Sequence, residues 1–387
     1  GILQPSGRDD TVCGANGTDR FAARYNTQMA TRVALFSTAA DAAAASQSVS
    51  ALFSEHDREL RDLLEPLATL TAAEQEAIGS AATAEAVGRA WEANDAVLRT
   101  LLAGRLSPTM ALPAPGAGAA APPSSDQAAG ESGAAGYASA AAVIAHLVRD
   151  WSDEGAFSRT RTHPPVLRAL AALARSRRPT CASSRPRSNC TAAAQLRVLV
   201  PGAGAGRLAW EAAQRGYRVE ANDASSAMLR AAHGLISGRL GSTSRNLGSS
   251  SRNLGSTSGG VGVAEVFPRV RCAGGAVDRS ACLRPVAVGL PPPHRAAPAP
   301  LPLTLTLGAW DGGYEEGSFD AVVSSYVFDV LPDPARTVRR VRALLAPGGE
   351  WVNVRRAQSC HACNSVALPS QSVSLLAPLP RNPLALL

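Results

Sequence analysis

Residues 196–223 show the clearest pattern of hydrophobic and polar positions in this chain of 387 residues. The apolar residues between 196 and 200 form a short run that is typical of a buried parallel strand, and Pro201 ends it. After a glycine-rich turn, apolar residues recur at helical spacing as far as Gly216, and from Tyr217 they alternate as in a second strand. The pattern therefore predicts strand, turn, helix and strand in that order, as at the start of a parallel α/β sheet.

The turn in this stretch contains Gly202, Gly204 and Gly206, in the spacing G-x-G-x-G. Glycine allows positive φ angles and lets the backbone approach a ligand, and the following helix points its free N–H groups at that ligand. Asp223 lies about twenty residues beyond the first glycine, where nucleotide-binding folds place an acidic residue on a ribose. We therefore predict a nucleotide-type cofactor site. An ordinary strand-to-helix turn is the alternative, because residues 115–118 repeat the glycine spacing with no strand before them.

Three later segments extend the predicted sheet. Leucines alternate over residues 303–307, and residues 319–325 form another buried apolar strand. A helix over 334–345 is followed by a Pro-Gly-Gly turn and a strand at 351–354. Residues 355–387 show no alternating pattern, so we expect the last strands of the sheet to be missing and the strand at 351–354 to form an exposed edge.

Composition shifts along the chain predict its organisation. Apolar residues recur at helical spacing before residue 104, where Thr71 and Glu74 form a capping box. Residues 238–302 contain LGSTSRN-type repeats and a proline-rich stretch, so we expect a low-complexity insertion that is irregular over 271–302. The predicted units are a disordered N-terminus at 1–20, a helical region at 21–104, an Ala/Pro/Gly linker at 105–136, an α/β domain at 137–354 and an irregular tail at 355–387.

Charge and apolar runs exclude some classes of partner. The net charge of +7 is carried by arginine alone, in a chain rich in Ala, Gly and Pro, which is typical of GC-rich coding. A basic composition of that origin need not form a basic surface, so we do not expect a nucleic-acid partner. No apolar run is long enough for a membrane helix, so a membrane is not expected either.

The cysteines and the first residues of the chain indicate where in the cell the protein is expected. The seven cysteines are scattered, as in reduced proteins of the cytoplasm, with the nucleus as a second location. Cys360, His361 and Cys363 would supply part of a zinc site, but no second close pair follows, so no metal is predicted. The chain begins at Gly1 without a secretory signal pattern, so we expect an incomplete N-terminus and no secretion.

The order of these motifs resembles that of class I S-adenosylmethionine-dependent methyltransferases, in which a strand, a helix, an L-x-P-G-G turn and a strand follow the glycine unit. A hydride-transfer Rossmann enzyme is the alternative, but its fingerprint has the spacing G-x-G-x-x-G. Over residues 137–354 the chain is similar to the carnosine N-methyltransferase family. The matching segments are VRDWS with Gly155, VLVPGAGAGRLAWE, Asn222-Asp223, Arg284-Pro285, 325–329 and PGGEWVN at 347–353.

This resemblance implies a Rossmann-like α/β fold, S-adenosylmethionine as the cofactor, a histidyl dipeptide such as carnosine as the substrate, and a homodimer. It also implies roles for individual residues. Arg149 would bind the methionine carboxylate, Gly202, Gly204 and Gly206 the methionyl part, Asp223 the ribose, Trp310 and Ser325 the adenine, and Asp329 the substrate imidazole.

The chain departs from the family pattern in several places. Trp310 stands where the family has a Gly-Asp-Phe segment, so the adenine-side carboxylate is absent unless Asp311 replaces it. His146 occupies a glutamine position, and His361 is out of register with a family histidine. A methyltransferase of another substrate, such as protein histidine or RNA, and an inactive truncated cofactor-binding remnant therefore remain alternatives.

Overall fold

A computed structural model of the protein describes residues 32–34, 39–103, 139–177, 195–240, 262–272, 279–291, 301–308, 310, 313–327, 333–356 and 371–376. Several predictions concern residues outside these ranges. These are the N-terminus, the linker, the repeats after residue 240, Asp311, Asp329 and the segment of Cys360, His361 and Cys363.

The helices fall before, within and after the glycine unit. They are α1 (Ala39–Ala68), α2 (Ala72–Ile78), α3 (Ser80–Leu102), α4 (Ala140–Trp151), α5 (Ala156–Ser176), α6 (Arg207–Gln214), α7 (Ser226–Ile236), the short α8 (Arg279–Cys282) and α9 (Pro334–Leu344). None of these helices combines the length and the apolar character that a bilayer-spanning helix requires.

Local sequence explains where several helices begin. The predicted capping box is confirmed: the Glu74 carboxylate accepts from the backbone N–H of Thr71 at 2.8 Å, and the Thr71 hydroxyl accepts from that of Glu74. The Ser225 hydroxyl caps α7 by accepting from the N–H of Met228 at 3.3 Å. Asp333 caps α9 in the same way, with proline at the first helical position.

Seven strands form the main sheet in the order β1-β6-β3-β2-β7-β8-β9, and β4 pairs with β5 in a separate antiparallel ladder. Every neighbouring pair of the main sheet is parallel except β8 and β9. The strands are β1 (Arg32–Ala34), β2 (Arg197–Pro201), β3 (Arg218–Asp223), β4 (Val263–Val266), β5 (Val286–Gly289), β6 (Leu303–Leu307), β7 (Phe319–Ser325), β8 (Leu345–Arg356) and β9 (Gln371–Leu376).

The strand order places a switch point between β2 and β7. The chain runs from β2 outward through β3 to β6 and then returns to the other side of β2 as β7. In open parallel sheets, the crevice outside the carboxyl ends of the strands at such a point is where ligands bind. The predicted Rossmann-like α/β class is therefore confirmed by topology, and the glycine turn after β2 lies at the switch point.

The two faces of the sheet are covered differently. Val198 and Val200 join the large core that the sheet shares with α3–α7, whereas Leu199 belongs to a second cluster with Val341 and Leu344 of α9. The continuous apolar run of β2 is thus explained, because its alternate side chains enter two apolar layers. The helical region also packs onto this core, because α3 contributes fully buried leucines such as Leu98 to the cluster of the first face.

Three expectations are corrected or extended. The sheet does not stop at 351–354, because β9 pairs antiparallel with β8, with Trp351 opposite Leu376 and Arg356 opposite Gln371. The expected irregularity of residues 271–302 is wrong for β5, which is held in register by β4. The helical region additionally contains β1, which extends the sheet beyond β6. In each case the strand depends on a partner far away in sequence, which local periodicity does not reveal.

Candidate functional site

The glycine turn has the backbone geometry that only glycine adopts readily. The φ angles of Gly202, Gly204 and Gly206 are 60°, 56° and 81°, all in the left-handed region. A Cβ atom on Gly202 would overlap Val327, and one on Gly204 would lie 3.0 Å from Nδ1 of His146. The turn therefore brings bare backbone to the carboxyl end of β2, and no side chain caps the helix α6 that follows.

Asp223 stabilises this turn from the end of β3. Its side chain is buried, one carboxylate oxygen accepts from the backbone N–H of Gly204 at 2.8 Å, and the other accepts from that of Ser225 at 2.8 Å. The structure thus places Asp223 beside the turn, as the sequence spacing predicted, and ribose binding stays a prediction.

Helix α4 borders the turn on its open side. The Arg149 guanidinium donates to both oxygens of Asp150, at 2.7 and 3.1 Å, and lies close to Gly204. His146 faces the same glycine, and burial, together with the charge of Arg149, lowers its pKa to about 4. His146 is therefore neutral at pH 7, and Arg149 is the cationic group of α4 at this turn.

A cleft, here called the turn cleft, opens between the glycine turn, the end of β7 and helices α4 and α5. Its empty volume is about 430 Å³, including solvent at its mouth. It is lined by Arg149, Asp150, Ser158, Arg159, Thr162, His163, Val200, Gly202, Ala203, Leu208, Ser325 and Tyr326. The structure therefore brings the predicted residues Arg149, Gly202 and Ser325 together.

Other predicted residues lie elsewhere. Trp310 packs against the second apolar cluster, beside Phe319 and α9, and does not line the turn cleft. Asp329 lies outside the described residues, so its contact with an imidazole stays a prediction.

Sequence reasoning missed a pair of side chains in hydrogen-bond contact at the side of the cleft. Nδ1 of His163 on α5 lies 3.1 Å from a carboxylate oxygen of Glu211 on α6, and the other oxygen accepts from Nε of Arg207 at 2.7 Å. Burial raises the pKa of Glu211, but hydrogen bonds and charges from His163 and Arg207 outweigh it and lower the pKa to about 2. From the sequence, only the contact between Arg207 and Glu211 could be expected, because these residues are four positions apart on one helix.

Tyr326 is a second residue that sequence reasoning did not single out. Its φ angle is 58°, and it is the one non-glycine residue with positive φ within the described ranges. Its hydroxyl is buried without a hydrogen-bond partner among those residues. Strained backbone at the carboxyl end of a strand is common where a ligand binds, and a periodicity argument has no means of detecting it.

Comparisons with known proteins match the same parts of the chain. A family model described as Carnosine N-methyltransferase matches residues 134–238, and one described as Methyltransferase domain matches residues 296–352. The carnosine N-methyltransferase of Mus musculus is 22% identical over 213 residues, covering 55% of this chain and 45% of that protein. The chain has a class I methyltransferase fold and, over these residues, is similar to the carnosine N-methyltransferases.

Further proteins share segments of their sequence or fold with this chain. The carnosine N-methyltransferase of Schizosaccharomyces pombe is 34% identical over 95 residues, which are 24% of this chain and 22% of that protein. A solved structure, the arsenic (III) S-adenosylmethionine methyltransferase CrArsM of Chlamydomonas reinhardtii, is 21% identical over 49% of this chain and 48% of that chain, with a TM-score of 0.26. The chain spans less than half the length of the curated relatives it matches.

The cofactor of a class I methyltransferase is S-adenosylmethionine, as the resemblance implied. The residues present fit it. The glycine turn leaves backbone free of Cβ atoms, the first turn of α6 has no side-chain cap, and Arg149 lies beside Gly204 where a carboxylate would be favoured.

Proposed function

We propose that this chain transfers a methyl group from S-adenosylmethionine to an imidazole nitrogen of carnosine or a related histidyl dipeptide. The observation that carries the proposal is the match of residues 134–238 to the carnosine N-methyltransferase model. That segment includes α4, α5 and the whole glycine unit, which together line most of the turn cleft.

The proposed roles follow the positions of the side chains. Arg149 binds the methionine carboxylate, and binding exchanges part of its pairing with Asp150 for that ligand. The glycine turn contacts the methionyl part, and Asp223, whose carboxylate lies beside the turn on the N–H of Gly204, accepts from a ribose hydroxyl. Ser325 lines the cleft from the end of β7, whereas the adenine contact assigned to Trp310 has only the family resemblance as support.

The reaction requires alignment more than activation. The cofactor supplies a methyl group on a sulfonium, and a neutral imidazole, with an ordinary pKa near 6.5, is already a nucleophile at pH 7. The protein must hold nitrogen, carbon and sulfur in line and exclude water. We propose that Asp329 accepts the N–H of one ring nitrogen and so leaves the lone pair of the other nitrogen facing the methyl group.

A methyl-transfer assay on the full chain tests this function. We expect radiolabelled methyl groups to appear on carnosine, and Asp329→Ala to reduce turnover at least tenfold while the affinity for S-adenosylmethionine is unchanged. Transfer to histidine-containing proteins or to RNA but not to carnosine would favour a methyltransferase of another substrate. Cofactor binding without transfer to any acceptor would favour the inactive remnant.

The quaternary structure and location are separate proposals. We propose a homodimer in the cytoplasm, with a nuclear fraction. Light scattering on the purified chain measures the first, and a fluorescent fusion in cells measures the second.

A further inference from the structure

The pair of His163 and Glu211 has a geometry that the proposed cofactor roles do not use. The His163 side chain is 9% exposed, and it lines the turn cleft together with Gly202 and Ser325. One of its ring nitrogens is occupied by the Glu211 carboxylate. A histidine that is held at one nitrogen and borders a cleft can offer its other nitrogen to a ligand.

The ionised state of Glu211 determines which ring nitrogen of His163 carries the proton between them. The pKa of Glu211 is about 2, so its side chain is a carboxylate at neutral pH and can only accept hydrogen bonds. Nδ1 of His163 must therefore carry the proton of this hydrogen bond, which leaves Nε2 as the nitrogen available to a ligand. Arg207 keeps the carboxylate ionised and is itself held over the rings of Trp151 and Trp210, at 5.0 and 5.1 Å from their centroids.

Methyl transfer to an imidazole produces a proton that a base must accept. The substrate nitrogen forms a bond to the methyl carbon as the bond from that carbon to sulfur breaks, which leaves a neutral thioether and a methylimidazolium. The neutral product forms when the N–H of the other ring nitrogen loses its proton. A carboxylate with an ordinary pKa near 4 accepts that proton weakly at pH 7, whereas an imidazole with a pKa near 6.5 is well matched.

We propose that His163 is the catalytic base of this site, with Glu211 as its positioning residue. This inference rests on the proposed function and assigns the proton acceptor of the same reaction. After methyl transfer, the N–H that Asp329 holds exchanges this partner for Nε2 of His163, which accepts the proton directly or through one water. The resulting imidazolium of His163 is stabilised by the Glu211 carboxylate until the proton passes to solvent.

The neighbouring groups favour a polar occupant of the cleft. Tyr326 lines the same space, and its buried hydroxyl lacks a partner among the described residues. Arg159 lines it too, but its guanidinium donates to the carbonyls of Arg149 and Ser152 and so holds α5 against the end of α4. The charged and titratable groups facing His163 or lining the cleft with it are Arg149 and Asp150 of α4, Arg159 of α5, Arg207 and Glu211 of α6, and Tyr326 after β7.

The test compares the wild type with His163→Asn on the full chain, with carnosine as the acceptor. The asparagine amide can still donate near the position of Nδ1, but it has no titratable nitrogen. We expect kcat to fall about a hundredfold while the affinity for S-adenosylmethionine and the melting temperature stay near the wild type. The fall of wild-type kcat toward acid pH, caused by protonation of the base, should be absent from the variant. Glu211→Gln should lower kcat and change the pH at which kcat falls on the acid side.

His233→Asn is the matched control, because this partly buried histidine contacts Arg239 and does not line the turn cleft. Its kcat and pH profile should equal those of the wild type. A ¹⁵N-histidine spectrum adds a readout that does not depend on turnover. The resonances lost in His163→Asn should report a proton on Nδ1, and the Nε2 resonance should shift when carnosine is added with S-adenosylhomocysteine.

The outcomes separate the inference from the function on which it rests. A wild type that methylates carnosine, with His163→Asn equally active and with the same pH profile, overturns the role of His163 alone. A spectrum with the proton on Nε2, or with no shift on addition of carnosine, overturns it too. A wild type that transfers no methyl group to carnosine contradicts the proposed function, and the role of His163 is lost with it.

Discussion

The glycine turn and the pair of His163 and Glu211 border the same cleft but are built in different ways. The turn comes from one continuous stretch in which three glycines with positive φ angles bring bare backbone to the site. The pair joins side chains that are 48 positions apart, on α5 and α6. The turn therefore depends on the absence of side chains, whereas the pair depends on charge and on how two helices pack.

Because of this difference, we expect changes in the turn to affect cofactor binding, and changes in the pair to affect catalysis and stability. A Cβ added to the turn should weaken the binding of the cofactor, because it changes the backbone that the ligand meets. Loss of charge in the pair should leave that backbone intact and change the energetics of a buried ionised group. Four predictions test the separation.

The largest effect is expected for Gly202→Ala. The alanine must adopt a φ of about 60°, which costs about 1–2 kcal/mol, and its Cβ would overlap Val327. We expect the affinity for S-adenosylmethionine to fall about a hundredfold in isothermal titration. Gly216→Ala is the control, since its φ is 86° but nothing lies within 4 Å of an added Cβ. An equal loss of affinity in both variants would contradict a specific role for the turn.

The next effect concerns stability and its pH dependence. The pKa of Glu211 is lower in the folded state than its usual value of 4.5, so its stabilising contribution is complete above about pH 4.5 and is lost as pH falls toward about 2. A shift of this size corresponds to about 3 kcal/mol. In urea unfolding, Glu211→Gln should lose about this much at pH 7 and less in acid, whereas the exposed Glu85→Gln should change little. A loss that is independent of pH would contradict an ionised Glu211.

A smaller effect should distinguish two roles of Asp223. In Asp223→Asn, one carbonyl oxygen remains to accept from Gly204 or Ser225, but the charge is lost. We expect about tenfold weaker binding of S-adenosylhomocysteine and a smaller loss for its 2′-deoxyribose analogue. The control is Asp320→Asn, a buried carboxylate that binds the backbone N–H of Arg197. An equal loss of affinity for both ligands would indicate that Asp223 only stabilises the turn and does not bind the ribose.

The smallest effect is expected for Arg149→Lys. Lysine keeps the charge but cannot form two parallel hydrogen bonds to a carboxylate, so S-adenosylmethionine should bind up to about tenfold more weakly. 5′-Methylthioadenosine, which has no amino-acid carboxylate, should bind as well as it does to the wild type. The exposed Arg161→Lys is the control. Weaker binding of both ligands would indicate that Arg149 stabilises the turn and does not bind the ligand carboxylate.

The glycine turn and its contact with Asp223 were predictable because their signals are local. Glycine spacing, the apolar run of β2 and the alternation of β3 indicate the turn directly, and the position of Asp223 follows from the length of one helix and one strand. The proposed base was not predictable, because nothing in the sequence near His163 indicates that Glu211 would lie 3.1 Å away. β9 escaped prediction for a similar reason, since its evidence is the ladder with β8.

The sequence by itself determined the α/β class, the glycine turn and the helix caps, because backbone sterics and the periodicities of helices and strands act over a few residues. Only the tertiary structure decided that Arg149 lies beside Gly204, that His163 meets Glu211, and that Tyr326 takes a positive φ. Those contacts form when helices pack on a sheet, and their energies depend on burial and on distances between segments that are remote in the chain.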